Sequence, residues 1–168
     1  MARIPRPGDV LLMGEFGQRC GYAHYLCRLE FAPLIQIYLS DCSTTLEGVL
    51  GGMQPFSPVF ANITQPVKEG RWKIVGNHPV SEIHVPRFLY RGGTDRDWRA
   101  SWSLWENNQI VMKFGQSVPE QFQDLEVATI RDSYGLEERI LTGVDELSYK
   151  VSVQRHQEFL EGKRPPGF

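Results

Sequence analysis

The sequence predicts an α+β fold, a strongly bent antiparallel sheet or small β-barrel with a C-terminal helix packed against it. Three short β-type segments, separated by glycine and proline turns, fall within about the first forty residues. Two further segments flank an Asn-Asn turn in the middle of the chain, as in a hairpin. Near the end, apolar residues recur every three or four positions, as on one face of a helix: Leu136, Ile140, Val144, Leu147 and Val151.

The 168 residues suit one domain. Within it, residues 1–115 are predicted to be mainly β and residues 116–161 mainly helical, while residues 162–168, with two prolines and two glycines, are predicted to form a tail.

The first three strands follow from local composition. A Pro-Gly turn precedes the apolar run 10–13, which predicts the first strand. Glycine-rich residues 14–21 predict a hairpin loop, and residues 22–27 alternate as a second strand does. Residues 34–39 (LIQIYL) are β-branched and aromatic, which is typical of a buried third strand.

The next segments are shorter. Residues 46–53 are compatible with one helical turn and residues 60–63 with a short strand. Residues 71–80 (RWKIVGNHPV) then alternate with period two, so we predict a strand that ends in a turn at residues 77–79.

The middle of the chain predicts a second hairpin. Residues 91–97 (RGGTDRD) are predicted to form a glycine turn, and residues 99–106 a strand. The turn at Asn107 and Asn108 leads to a strand at residues 109–114. For residues 119–130 the sequence leaves helix and strand open. In the terminal helix, Gly143 is a candidate break between two helices.

Composition excludes several classes of protein. The chain has 18 basic and 20 acidic residues, so its net charge of −2 provides no field that favours nucleic acid or an anionic membrane. Three irregularly spaced cysteines do not form the framework of a small secreted domain, and we predict that they are reduced. No segment approaches the roughly 20 apolar residues of a membrane helix, and no secretory signal is visible. The prediction is a cytoplasmic protein.

Common catalytic and metal motifs are absent from the sequence, so no catalytic residue, metal site or cofactor is predicted. A hydrolase that pairs His24 with Cys20 or Cys27 is the enzymatic alternative. In a strand, however, His24 and Cys27 point to opposite faces, and Cys20 lies in the predicted hairpin loop. A structural role as small core residues explains these cysteines better.

The residues around the second hairpin combine arginine and tryptophan, a composition typical of binding hot spots. Core packing is the main competing explanation, above all for Trp102, and neighbouring carboxylates nearly cancel the local charge that would attract nucleic acid. We therefore predict a protein-binding patch, and its residues are Arg96, Trp98, Arg99 and Trp105.

Several motifs together resemble the immunity protein 26 family of bacterial polymorphic toxin systems. They are PGDV at residues 7–10, the aromatic and glycine hairpin at 17–25, LIQIYL, WKIVGNHPV, and the following Pro86 and Phe88. The resemblance covers about the first 90 residues, and beyond them only ERIL at residues 138–141 is similar.

The resemblance implies a cytoplasmic protein that binds a cognate toxin and neutralises it by occlusion, without catalysis. It implies no catalytic residues and no cofactor. The matched positions are interpreted as fold-defining: Gly8, Asp9, Tyr22, Trp72, Gly76 and Pro79. The alternative is a barrel-like module that binds nucleic acid or a small ligand.

Overall fold

A computed structural model of the chain describes residues 3–30, 32–83, 85–94, 100–107, 109–143 and 149–163. It confirms the α+β class, with two antiparallel sheets and four α-helices in the described residues. The chain divides into two compact units, and each is described by itself. The first comprises Met1–His84 and Thr129–Gly143, and the second Val85–Ala128 and Val144–Phe168. That these units belong to one domain stays a prediction.

The first unit contains an open five-stranded sheet. Its strands are β1 (Asp9–Phe16), β2 (Arg19–Arg28), β3 (Pro33–Ser40), β4 (Val59–Phe60) and β5 (Lys73–Asn77). Their order is β4-β3-β2-β1-β5, and all neighbours are antiparallel. The sheet is therefore the open form of the prediction rather than the small closed barrel.

The hairpin between β1 and β2 is tighter than predicted. Pairing continues to Phe16 opposite Arg19, so only two residues form the turn instead of the predicted loop at residues 14–21. Gly17 has φ 69°, a left-handed conformation that glycine adopts without strain.

Both faces of this sheet are covered because side chains alternate across it. One face forms the larger core with α2 (Thr64–Lys68) and α3 (Ser133–Thr142). Its buried members are Leu11, Met13, Ala23, Tyr25, Ile35, Ile37, Val59, Ala61, Ile63, Val67, Trp72 and Leu136. The opposite face packs Tyr22, Tyr38 and Val49 beside α1 (Leu46–Leu50).

Helix α3 supplies the predicted helix on the sheet. Asp132 accepts a hydrogen bond from Gly135 N at 2.7 Å and caps its start, while Gly143 ends it at φ 70°. The prediction that Gly143 breaks the terminal helix is confirmed, since α4 (Tyr149–Leu160) follows as a separate helix in the second unit. Val144 and Leu147 of the predicted stripe lie outside the described residues.

The second unit contains a three-stranded sheet with the order β6-β7-β8. These strands are β6 (Phe88–Thr94), β7 (Ala100–Glu106) and β8 (Gln109–Gly115). Leu89 and Trp102 form its core with Val127 and Tyr149, and the Trp102 and Tyr149 rings meet edge to face at 5.0 Å.

Two predictions for this unit need correction or completion. The turn predicted at residues 91–97 begins too early, since Arg91 pairs with Trp102 and β6 extends to Thr94. The ambiguous stretch 119–130 holds a 3₁₀ helix at Glu120–Phe122 and then an isolated bridge from Val127 to Leu89, so it is neither a long helix nor a long strand.

The prediction of three reduced cysteines is wrong. A disulfide joins Cys20 to Cys42, whose Cα atoms are 4.9 Å apart, and Cys27 is free. The reason lies in the sheet register, since Cys20 pairs with Ser40 and Cys42 follows two residues later. Among the described residues, no helix has both the length and the apolar character needed to cross a membrane.

Candidate functional site

The candidate site is a cavity of about 390 Å³ in the first unit, of a size typical of ligand pockets. It opens beside the sheet face that carries His24 and Gln36, and the residues after β5 form another part of its wall. The lining residues are His24, Leu26, Gln36, Tyr38, Leu50, Gln54, Pro58, His78, Pro79, Val80, Ser81 and Glu82.

His24 is fixed in one orientation by the segment after β5. Its Nε2 lies 2.8 Å from the carbonyl oxygen of His78, and the two imidazole rings are 6.1 Å apart. A carbonyl only accepts, so Nε2 carries the proton and Nδ1 of the neutral ring is an acceptor. Burial lowers the pKa of His24 below its ordinary value, more than the hydrogen bond to His78 raises it, so the neutral form is favoured.

Gln36 lies directly opposite His24 in the pairing of β2 with β3. Its Nε2 donates to the carbonyl oxygens of Phe56, at 2.8 Å, and Ile37, at 3.0 Å. Both amide hydrogens are thereby used, and the side-chain oxygen Oε1 remains as an acceptor. The site therefore has two acceptors on adjacent strands.

The rest of the wall is partly apolar and partly acidic. Tyr38 is hydrogen-bonded to Gln54, and burial raises the pKa of its hydroxyl, so Tyr38 stays neutral. Glu82 and Ser81 are exposed at the rim.

The segment that carries His78 is held by residues at the start of β1, the strand next to β5. His78 N donates to the carbonyl of Gly8 at 2.8 Å. Gly8 has φ 90°, and a Cβ there would approach Asn77 Nδ2 to 2.9 Å, so any other residue would be strained. The conformation of Gly8 thus positions one wall of the cavity.

Asp9 is buried and anchors the start of this segment through Asn77. Its carboxylate accepts hydrogen bonds from Asn77 Nδ2 at 2.9 Å, from Arg6 N at 2.8 Å and from Arg3. Burial alone would raise the pKa of Asp9, but these hydrogen bonds outweigh it and lower the pKa. Asp9 is therefore charged at neutral pH.

The other residues interpreted as fold-defining have separate environments. Trp72 is buried in the larger core, and its Nε1 donates to Glu137 Oε1 at 2.8 Å. Tyr22 is buried on the opposite face, and Gly76 leaves room for Leu46, since a Cβ would lie 3.1 Å from a Leu46 methyl. Pro79 lines the cavity.

The predicted protein-binding patch is only partly described. Arg96, Trp98 and Arg99 lie outside the described residues. Trp105 is 6% exposed and pairs with Phe88 across the sheet, so little of its ring faces solvent. The role predicted for the four residues stays a prediction.

In the same sheet, strand β8 has a surface that the sequence analysis did not single out. Ile110, Val111 and Met112 are 41%, 44% and 48% exposed. Strand β8 pairs with β7 on one side, and no described strand pairs with its other edge. We call these three residues and that free edge the β8 surface.

The alternative nucleophilic pair is not assembled. Cys20 is bonded to Cys42, and His24 Nε2 is hydrogen-bonded to the carbonyl oxygen of His78 in a cavity that Cys27 does not line. Burial raises the pKa of the Cys27 thiol, which disfavours the reactive thiolate. Among the residues that the structure describes, no cluster of three or more His, Cys, Asp or Glu side chains is arranged to hold a metal ion.

Sequence reasoning considered His24 only as a partner of the cysteines and did not select Gln36. A signal for Gln36 was present, since a glutamine interrupts the apolar strand LIQIYL and needs buried hydrogen-bond partners there. The pairing of His24 with Gln36 and the approach of His78 depend on long-range register.

Comparison with protein-family models, curated proteins and solved structures found no match.

Proposed function

We propose that this protein binds a cognate bacterial toxin and neutralises it by occlusion, without catalysis. The β8 surface carries this proposal. Three consecutive apolar residues are exposed on an edge strand whose only charged side chain is Lys113. Soluble proteins usually protect edge strands with charges, prolines, bulges or a covering segment. Strand β8 has one lysine and two irregularities in its pairing, but its three exposed apolar residues still favour association with another chain.

The geometry of the edge indicates how the toxin would bind. The outer N–H and C=O groups of an edge strand match those of an extended peptide, which adds a strand to the sheet. Ile110, Val111 and Met112 would supply apolar contact around that backbone pairing. The toxin identity of the partner rests on the resemblance to the immunity protein 26 family.

Co-expression with the toxin encoded beside this gene tests the function. We expect growth inhibition by that toxin to disappear when the protein is present. The purified protein should inhibit the toxin stoichiometrically, so that each protein molecule neutralises at most one toxin molecule. Loss of more toxin activity than that stoichiometry permits would contradict a mechanism without catalysis, and unrelieved growth inhibition would contradict immunity.

The variant Val111→Asp with Met112→Asp tests the surface. Placing two charges against a desolvated apolar contact should weaken toxin binding by about a hundredfold or more, measured by calorimetry. Val75→Asp is the matched control, because Val75 is 49% exposed on β5, an edge strand of the other sheet. If both variants bind the toxin as tightly as the unaltered protein does, the β8 surface is not part of the interface.

A cytoplasmic site of action is part of the proposal, although the disulfide between Cys20 and Cys42 is typical of oxidising compartments. Toxin neutralisation should therefore persist with the disulfide reduced. The variant Cys20→Ser with Cys42→Ser should still protect cells. Loss of protection by this variant, if it is folded, would place the active form in an oxidising compartment.

A further inference from the structure

We propose that the cavity beside His24 binds a small organic cation that carries N–H donors, such as a primary amine or a guanidinium compound. This site is separate from the proposed toxin surface. Binding of a small ligand was an alternative function in the sequence analysis, and the present proposal names the chemical class of that ligand.

The first argument is hydrogen bonding. His24 and Gln36 are only 5% and 4% exposed, yet both line the cavity. Their donor atoms are bound to backbone carbonyls, whereas no described residue donates to His24 Nδ1 or Gln36 Oε1. Both residues line the cavity, so these two acceptors remain open to a ligand that supplies donors. The site therefore favours a ligand that carries N–H or O–H donors.

The second argument is charge. Glu82 is the carboxylate at the rim, and the described lining residues include no lysine or arginine. A carboxylate favours a cation, and the neutral acceptors inside would repel an anionic group of similar size. The charge of the ligand would lie between Glu82 and the two acceptors.

The third argument is shape. Leu26, Leu50, Pro58 and Val80 give the cavity an apolar side, which suits the methylene chain of an alkyl amine. Its volume of about 390 Å³ corresponds to about a dozen water molecules, so a chain of several methylenes with polar ends fits. A bare metal ion would leave most of this space and the apolar wall unused.

Calorimetric titration of the protein, without toxin, tests the proposal with agmatine and 1,4-diaminobutane. Glutarate and 1,4-butanediol serve as an anion and a neutral molecule of similar length. We expect saturable binding of at least one cation, with the diol and the anion bound at least about tenfold more weakly. No saturable binding of either cation, or equal binding of glutarate, would overturn the proposal.

Two variants locate the binding site. Gln36→Met removes the acceptor at nearly constant volume and should weaken binding by about tenfold. Glu82→Gln removes an exposed charge and should weaken it by about fivefold at most. Glu82 is exposed, so its variant keeps the test valid if Gln36→Met does not fold.

Glu30→Gln is the control for Glu82, because Glu30 is an exposed glutamate of the same unit that does not line the cavity. We expect unchanged cation affinity for this control. An equal loss for Glu30→Gln and Glu82→Gln would show attraction to the surface charge in general and overturn the site. Toxin binding by the β8 surface is measured separately, so either proposal can fail without the other.

Discussion

Strands β3 and β8 show how a central strand differs from an edge strand. β3 lies between β2 and β4, and six of its eight residues are buried. β8 has one neighbour, and exposed residues occupy six of its seven positions. Burial on both faces fixes the register of a strand and stabilises it, whereas an edge strand keeps backbone groups and side chains available for another chain. The centre of the first sheet is therefore suited to stability, whereas the edge of the second sheet is open to pairing.

Substitution of Trp72 should have the largest effect, because it belongs to the buried core of the first sheet. Trp72→Ala removes a buried ring and leaves Glu137 without one of its donors. We expect a loss of about 3–5 kcal/mol in the free energy of unfolding, measured by urea denaturation. A folded Trp72→Ala variant of unchanged stability that fails to bind its partner would move Trp72 from the core to the binding surface.

Trp72→Phe is the control that separates packing from hydrogen bonding. It keeps most of the ring but loses the Nε1 donor to Glu137. The expected loss is smaller, about 1–3 kcal/mol, since one charge-assisted hydrogen bond and part of the ring are removed. Equal losses for both variants would assign the effect to the hydrogen bond instead of the buried ring.

Reduction of the disulfide between Cys20 and Cys42 should have the next largest effect. The bond lies where β2 begins and β3 ends, and it closes a loop with a sequence separation of 22. Closing such a loop restricts the unfolded chain, and we expect reduction to cost about 3 kcal/mol. Urea denaturation with and without a reductant measures it. The variant Cys20→Ser with Cys42→Ser should be insensitive to the reductant.

The sequence predicted the parts of the fold that depend on residues close together in the chain. Residues 73–77 of the segment 71–80 became strand β5 because period-two alternation is a local property, and the strand ends before Pro79, although no turn follows at residues 78–80. Gly143 ended α3 because its left-handed φ is a local property. The first sheet was likewise predicted from its alternating strands and short turns.

The disulfide and the cavity could not be predicted in the same way. Cys42 meets Cys20 only because β2 and β3 pair in one particular register. The cavity requires His24 opposite Gln36 and the carbonyl of His78, which is 54 residues away from His24 in sequence. Such contacts depend on which strands pair and in which register. The local preference of a segment for helix or strand carries little information about that pairing.

Tyr149→Phe should have a moderate effect in the second unit. The Tyr149 hydroxyl accepts a hydrogen bond from the buried Val118 N at 3.1 Å, and its ring contacts Trp102. The variant keeps the ring contact but leaves that N–H without this acceptor, so we expect a loss of about 1–3 kcal/mol. Urea denaturation followed by tryptophan fluorescence measures it. An unchanged midpoint would show that the N–H finds another acceptor.

The smallest effect on stability is expected at the β8 surface. Val111→Thr with Met112→Gln replaces exposed apolar side chains with polar ones, and we expect a change within about 0.5 kcal/mol in the free energy of unfolding. Leu104→Ala is the contrast, because Leu104 pairs with Met112 but is buried, and its truncation should cost about 2–5 kcal/mol. Both are measured by urea denaturation.

A large loss of stability in the Val111 and Met112 variant would show that these side chains support the fold of the second sheet. The β8 surface would then have a structural reason to be apolar, and its exposure would no longer favour a partner. Unchanged stability together with weakened toxin binding would instead separate the two roles within one hairpin, with Leu104 holding the sheet together and its neighbours on β8 contacting the toxin.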